Sequence, residues 1–107
     1  MPLSVLGDIF IKQGEDINDI VRGGTGDDVL DGRGANDTII GGDGNDLISG
    51  GVGADTLTGN AGDDEILGQN GNDFLAGNAG ADILTGGLGV DTFVLDDEDE
   101  SKVLPQR

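Results

Sequence analysis

The sequence predicts an all-β fold, a two-sheet parallel β-solenoid of eight nonapeptide repeats with an N-terminal cap. Three observations carry that expectation. An aspartate recurs every nine residues, at Asp28, Asp37, Asp46, Asp55, Asp64, Asp73, Asp82 and Asp91, without a slip. A large apolar residue stands two positions after each of them: Leu30, Ile39, Ile48, Leu57, Ile66, Leu75, Leu84 and Phe93. Of the 22 glycines, 20 lie within residues 23–94, the span of the eight units. A fixed short period of this kind marks stacked units that bury one shared core.

Residues 1–22 come first and read as the cap, because Val5, Leu6, Ile9, Phe10 and Ile11 supply apolar surface for the first coil. Residues 14–22 within it keep the frame as a degraded unit, with Asp19 at the sixth place, Val21 at the eighth and Ile17 where a turn glycine belongs. From Gly23 the units read GGTGDDVLD, GRGANDTII, GGDGNDLIS, GGVGADTLT, GNAGDDEIL, GQNGNDFLA, GNAGADILT and GGLGVDTFV. Places seven to nine alternate outward, inward, outward, the period of a strand, so each unit holds one three-residue strand. The six places before it, rich in Gly, Asn and Asp, form a tight turn in which glycine supplies positive φ. Two units make one coil of 18 residues, and each strand lies parallel to the one a coil earlier. Residues 95–107 leave the frame, and their acidic run at 96–100 reads as a solvated C-terminal tail.

Composition removes most other functions. The 107 residues include no His, Cys, Trp or Tyr, which excludes Ser-His and Cys-His nucleophiles, zinc sites of nitrogen or sulfur ligands, and disulfides. No enzyme activity and no small-molecule substrate are expected. The net charge of -17 opposes nucleic acid and anionic lipid. Nothing approaches the roughly 20 apolar residues of a membrane span, so no membrane insertion is expected.

Stacking places the aspartates in two columns, Asp28, Asp46, Asp64 and Asp82 in one and Asp37, Asp55, Asp73 and Asp91 in the other. At a strand separation of about 4.8 Å, facing carboxylates repel by on the order of several tenths of a kcal/mol or more per pair. A cation is needed between them. The donors on offer are carboxylate and carbonyl oxygens on flexible turns, a set that suits calcium. Magnesium demands a stricter octahedron and keeps its waters.

These units resemble GGxGxDxUx, the calcium-binding nonapeptide of repeats-in-toxin (RTX) proteins. The resemblance implies a right-handed parallel β-roll that is disordered without calcium and folds when calcium enters between stacked turns. It further implies a clasp in which sixth-place aspartates one coil apart share an ion, with Asp19 extending the set that begins at Asp28. Carbonyls complete the shell. The earlier turn offers its second-place carbonyl (Gly24, Arg33, Gly42, Gly51, Asn60 or Gln69) and its fourth (Gly26, Ala35, Gly44, Gly53, Gly62 or Gly71). The later turn offers its first (Gly32, Gly41, Gly50, Gly59, Gly68, Gly77 or Gly86) and its third (Gly34, Asp43, Val52, Ala61, Asn70, Ala79 or Leu88).

Backbone ligation leaves the side chains at the second and third places free to vary. Three gaps per column give about six Ca2+, up to eight with end sites, and six dications balance the net -12 of residues 23–94. Ile17 and Ala35, which replace turn glycines in stacked units, predict weaker sites at that corner. Relatives of this kind are bacterial, secreted, and exported by a type I route without a cleaved N-terminal signal. The expected role is a calcium-dependent folding module. A calcium-dependent adhesion or self-assembly scaffold is the alternative, as is the repeat portion of a larger RTX toxin or enzyme. Homo-association would use the outer strand faces, where Ile40, Leu47, Leu67, Phe74, Ile83 and Val94 stand.

Overall fold

The computed structural model describes residues 11–13, 18, 20–94 and 102–104. The described residues form eleven strands and no helix. One sheet holds, in order, β1 (Ile11–Gln13), β3 (Val29–Asp31), β5 (Leu47–Ser49), β7 (Glu65–Leu67), β9 (Ile83–Thr85) and β11 (Lys102–Leu104). The other holds β2 (Ile20–Gly24), β4 (Thr38–Gly42), β6 (Thr56–Thr58), β8 (Phe74–Ala76) and β10 (Thr92–Val94). Successive strands alternate between the sheets, and every pairing is parallel, so the chain winds as a two-sheet solenoid.

Nine of the eleven strands are three residues long, the length each unit leaves between turns, while β2 and β4 run on to five. Their register is one coil, with Val29 opposite Leu47, Ile48 opposite Ile66 and Leu57 opposite Leu75. That spacing brings like places together, and the eighth-place residues meet in the interior. Val21, Leu30, Ile39, Ile48, Leu57, Ile66, Leu75 and Leu84 are all fully buried in one cluster, and Phe93 packs half-buried at its end. Seventh places face outward as the alternation requires, while the ninth-place Ala76 and Thr85 turn out to be buried.

Each end adds a strand that the nine-residue frame does not mark. β1 keeps the coil register, Ile11 opposite Val29, although the sequence has Phe10 at the place an aspartate takes in the repeats. β11 lies within the expected tail and pairs Lys102 with Ile83, a separation of 19 residues, so one extra residue hides it from a nine-place frame. Asp19, most of the expected cap and the acidic run at 96–100 lie outside the described residues.

Outward residues divide the surface. Leu47, Leu67 and Ile83 face out from the first sheet, and Ile40, Phe74 and Val94 from the second, so these apolar groups are split between opposite faces. The turns form two rims. Turns 23–28, 41–46, 59–64 and 77–82 lie on one, where Asp27, Asp43 and Asp63 are exposed. The other rim carries Val52, Leu88 and Val90, the most exposed large apolar residues among those described. Among the described residues no helix is long and apolar enough to cross a membrane.

Candidate metal centre

Each turn reverses the chain through two left-handed residues separated by one. All eight second places have positive φ, between 67° and 95°, and all eight fourth places between 70° and 116°. Glycine adopts this region without steric cost, whereas an L side chain there costs about 1–2 kcal/mol. Arg33, Asn60, Gln69 and Asn78 hold it at the second place with φ of 67–72°, and Ala35 holds it at the fourth with φ of 70°. To the expectation that second-place side chains vary freely this backbone adds a constraint on conformation. The side chain varies, but the conformation does not.

The reversal delivers each sixth-place aspartate to the inner side of its turn. Asp28, Asp37, Asp46, Asp55, Asp64, Asp73 and Asp82 are only 1–3% exposed. Asp28, Asp37, Asp46, Asp55, Asp64 and Asp73 are each tied to the next coil by the backbone. The N–H of Asp28 donates to Oδ1 of Asp46 at 2.8 Å, that of Asp46 to Asp64 at 2.7 Å, and that of Asp64 to Asp82 at 2.7 Å. The other column repeats this from Asp37 through Asp55 and Asp73 to Asp91, at 2.7–2.9 Å.

The second carboxylate oxygen is different. Oδ2 of Asp46, Asp55, Asp64 and Asp73 is buried with no hydrogen-bond partner. It lies against the first-place glycine of its own unit, and at Gly23, Gly32, Gly41 and Gly68 the first-place carbonyl one coil later reaches the same spot. A Cβ added at Gly32 would meet Asp37 Oδ2 at 2.6 Å and the Gly50 carbonyl at 2.9 Å. One added at Gly68 would meet Asp73 Oδ2 at 2.6 Å and the Gly86 carbonyl at 2.8 Å. First-place glycines have no positive φ, so glycine is needed there for room rather than for conformation. Two oxygens converge where a side chain would otherwise sit.

Buried, like-charged and partly unpartnered, these carboxyls resist ionisation. Asp55 and Asp64 are pushed up to about 7 and Asp46 and Asp73 to about 6, from an ordinary value of 3.8. Burial is the largest cause, backbone N–H donation opposes it, and neighbouring column carboxylates add to it, Asp73 and Asp37 in the case of Asp55. A cation between the coils would reverse this balance.

The remaining carbonyls of the expected shell also face the gap between coils. The Gly24 carbonyl accepts the Asp43 N–H at 2.9 Å and the Arg33 carbonyl the Val52 N–H at 2.7 Å. Third-place carbonyls of Asn70 and Leu88 accept the N–H groups of Gly53 and Gly71, each at 3.2 Å. Each carbonyl keeps a second lone pair for a metal. Among the described residues no three acidic side chains converge, so carboxylates meet in pairs and backbone oxygens must complete any shell.

A second ladder runs beside the first in the opposite sense and was not anticipated. Fifth-place side-chain oxygens accept the fifth-place N–H one coil later. Asp27 Oδ1 takes it from Asn45, Asn45 Oδ1 from Asp63, and Asp63 Oδ1 from Ala81, each at 2.8 Å. The sequence signal was the sharing of that place by Asn and Asp in five of the eight units.

Comparison with protein families supplies the deciding observation. The family model described as RTX calcium-binding nonapeptide repeat (4 copies) matches residues 13–48, 40–75 and 67–98. The chain belongs to this RTX family. Comparisons with curated proteins and with solved structures returned no match. The protein is therefore a β-solenoid of calcium-binding RTX repeats. Its own geometry suits that ion, because the all-oxygen set, the unpartnered Oδ2 atoms and the glycine cradles fit a hard, oxygen-seeking cation. Among the RTX ligand positions of the sequence reading, Asp19 alone falls outside the described residues.

Proposed function

We propose that this chain is a calcium-driven folding module, without catalytic activity, that is disordered in calcium-poor surroundings and winds into the roll when about six Ca2+ bind between stacked turns. The observation that carries it is the row of buried Oδ2 atoms on Asp46, Asp55, Asp64 and Asp73, carboxylate oxygens with no hydrogen-bond partner inside the fold. A buried carboxylate with one oxygen left unpaired and no counter-charge disfavours the folded state. In each gap two sixth-place aspartates would hold the ion, with the first- and third-place carbonyls of the later turn and the second- and fourth-place carbonyls of the earlier one. Bound calcium would supply the dication that neutralises both carboxylates. Binding then becomes folding free energy, about 2.7 kcal/mol per site at 100 times its dissociation constant.

RTX repeats are typical of secreted bacterial proteins, which supports an extracellular bacterial setting reached by type I export. Extracellular calcium modules bind at about 10⁻⁴ to 10⁻³ M, so such a site empties inside the cell and fills outside. Circular dichroism with calorimetry tests the reading. A gain of β signal with about six ions bound per chain is expected. No gain up to about 10 mM calcium overturns it.

A further inference from the structure

The third place of each unit precedes a fourth place that is glycine in seven of eight units. At residue 71 that glycine is compulsory, since φ is 114° and an added Cβ would run into the Gly53 carbonyl. The third place itself accepts Thr25, Gly34, Asp43, Val52, Ala61, Ala79 and Leu88 in the other units. Residue 70 alone puts an asparagine before the turn glycine, and its side chain is exposed.

We propose that Asn70–Gly71 is a spontaneous deamidation site that the folded turn protects and the unfolded chain exposes. In the reaction the Gly71 backbone nitrogen loses its proton and bonds to Cγ of Asn70. The bond from Cγ to the side-chain nitrogen breaks, ammonia leaves, and a five-membered succinimide remains. Water then opens the ring. Cleavage between the Gly71 nitrogen and Cγ gives aspartate, and cleavage between that nitrogen and the Asn70 backbone carbonyl carbon gives isoaspartate. Nothing is oxidised or reduced, and water is the only co-reactant.

The fold opposes the first step because it commits the attacking nitrogen. The Gly71 N–H donates to the Leu88 carbonyl at 3.2 Å, and the Asn70 carbonyl accepts the Gly53 N–H at 3.2 Å, so both flanks of the bond are tied to neighbouring coils. No bulky side chain at residue 71 slows the attack once these bonds open. The two products differ in consequence. Aspartate at residue 70 matches Asp43 in the third unit and is tolerated. Isoaspartate adds a methylene to the main chain, moves the third-place carbonyl, and breaks the register of this turn.

The test follows the mass of the full chain at mildly alkaline pH, with fragmentation to locate a gain of about one mass unit and an isoaspartyl methyltransferase assay for the rearranged product. Three samples are compared: calcium, chelator, and urea, each with its circular dichroism spectrum. The calcium arm rests on the calcium-dependent folding proposed above, whereas urea supplies an unfolded reference whatever calcium does. Opening one hydrogen bond worth about 1.4 kcal/mol predicts roughly tenfold slower deamidation in the folded sample than in urea. Asn70→Thr, which copies Thr25, abolishes the gain in urea. Equal rates in β-rich and urea-unfolded samples overturn the proposal, as does the absence of any gain at residue 70 in urea.

Discussion

The backbone N–H of Asp46 donates to Oδ1 of Asp64 at 2.7 Å across the gap between coils, while Oδ2 of Asp64 has no hydrogen-bond partner. One oxygen holds the stack and the other is left for an ion. Asp64→Asn keeps an acceptor for that N–H but removes the charge shared with Asp46 and Asp82. It should retain the β signal at saturating calcium, with calcium binding in these two gaps weakened about tenfold, near 1.4 kcal/mol. Asp64→Ala loses both functions and should be worse in both readouts. Identical calorimetric titrations for the two variants would count against the division of labour.

Ala35 occupies the one fourth place without glycine and holds φ at 70°. Ala35→Gly removes that strain and should stabilise the calcium-loaded fold by about 1 kcal/mol. Its calcium midpoint should fall. Gly62→Ala goes the other way, because an added Cβ overlaps the Gly44 carbonyl where φ is 106°. An unchanged midpoint for Ala35→Gly would show that this corner is not weakened by its alanine.

Gly68→Ala tests room rather than conformation. Its Cβ meets Asp73 Oδ2 at 2.6 Å and the Gly86 carbonyl at 2.8 Å, so the carboxylate must swing away from the converging carbonyl. Calorimetry should show fewer ions bound. A full complement of ions would mean that the cradle beneath Gly68 plays no part.

Acidity should act in opposite directions on the two states. Asp55 and Asp64 titrate at about 7 in the fold, above the ordinary 3.8, so the metal-free native chain binds more protons than the unfolded one between those values. Stability of the metal-free fold is therefore greatest at low pH and is lost as pH rises through that window. Calcium needs the ionised carboxylates, so its midpoint should rise as pH drops below about 7. Dichroism in chelator should show more β signal at about pH 5 than at about pH 8. A calcium midpoint that ignores pH would remove these carboxylates from the site.

Ala54→Asn extends the second ladder. The Val90 N–H has Asn72 Oδ1 at 2.8 Å and the Ala54 N–H has Asn36 Oδ1 at 2.8 Å, but Ala54 has no side-chain oxygen for the residue one coil on, Asn72. An asparagine there should add about 1 kcal/mol of stability in urea titrations. No shift in the urea midpoint would make the ladder incidental.

The nine-residue spacing of the aspartates was enough to read the columns, the coil length and the buried eighth places, because each depends only on period. Ile48 and Asp46 could be placed from sequence alone. The fifth-place ladder was not legible, since Asn45 in a turn has many ordinary roles and only stacking shows its oxygen meeting Asp63. Arg33 and Gln69 looked unconstrained because φ leaves no mark on residue identity when a side chain tolerates strain. Lys102 was missed for a different reason, a single added residue that breaks the period while leaving the parallel pairing intact.

Because successive turns fall on opposite rims, the natural unit of growth for this molecule is a pair of repeats. Deleting one nonapeptide would preserve the frame, the core and the count of strands per coil. It would also move every later turn to the other rim, bringing Leu88 and Val90 alongside Asp27 and Asp43. Lineages that keep the rims chemically distinct are thus confined to gains and losses of 18 residues, and repeat number in such chains should change by twos.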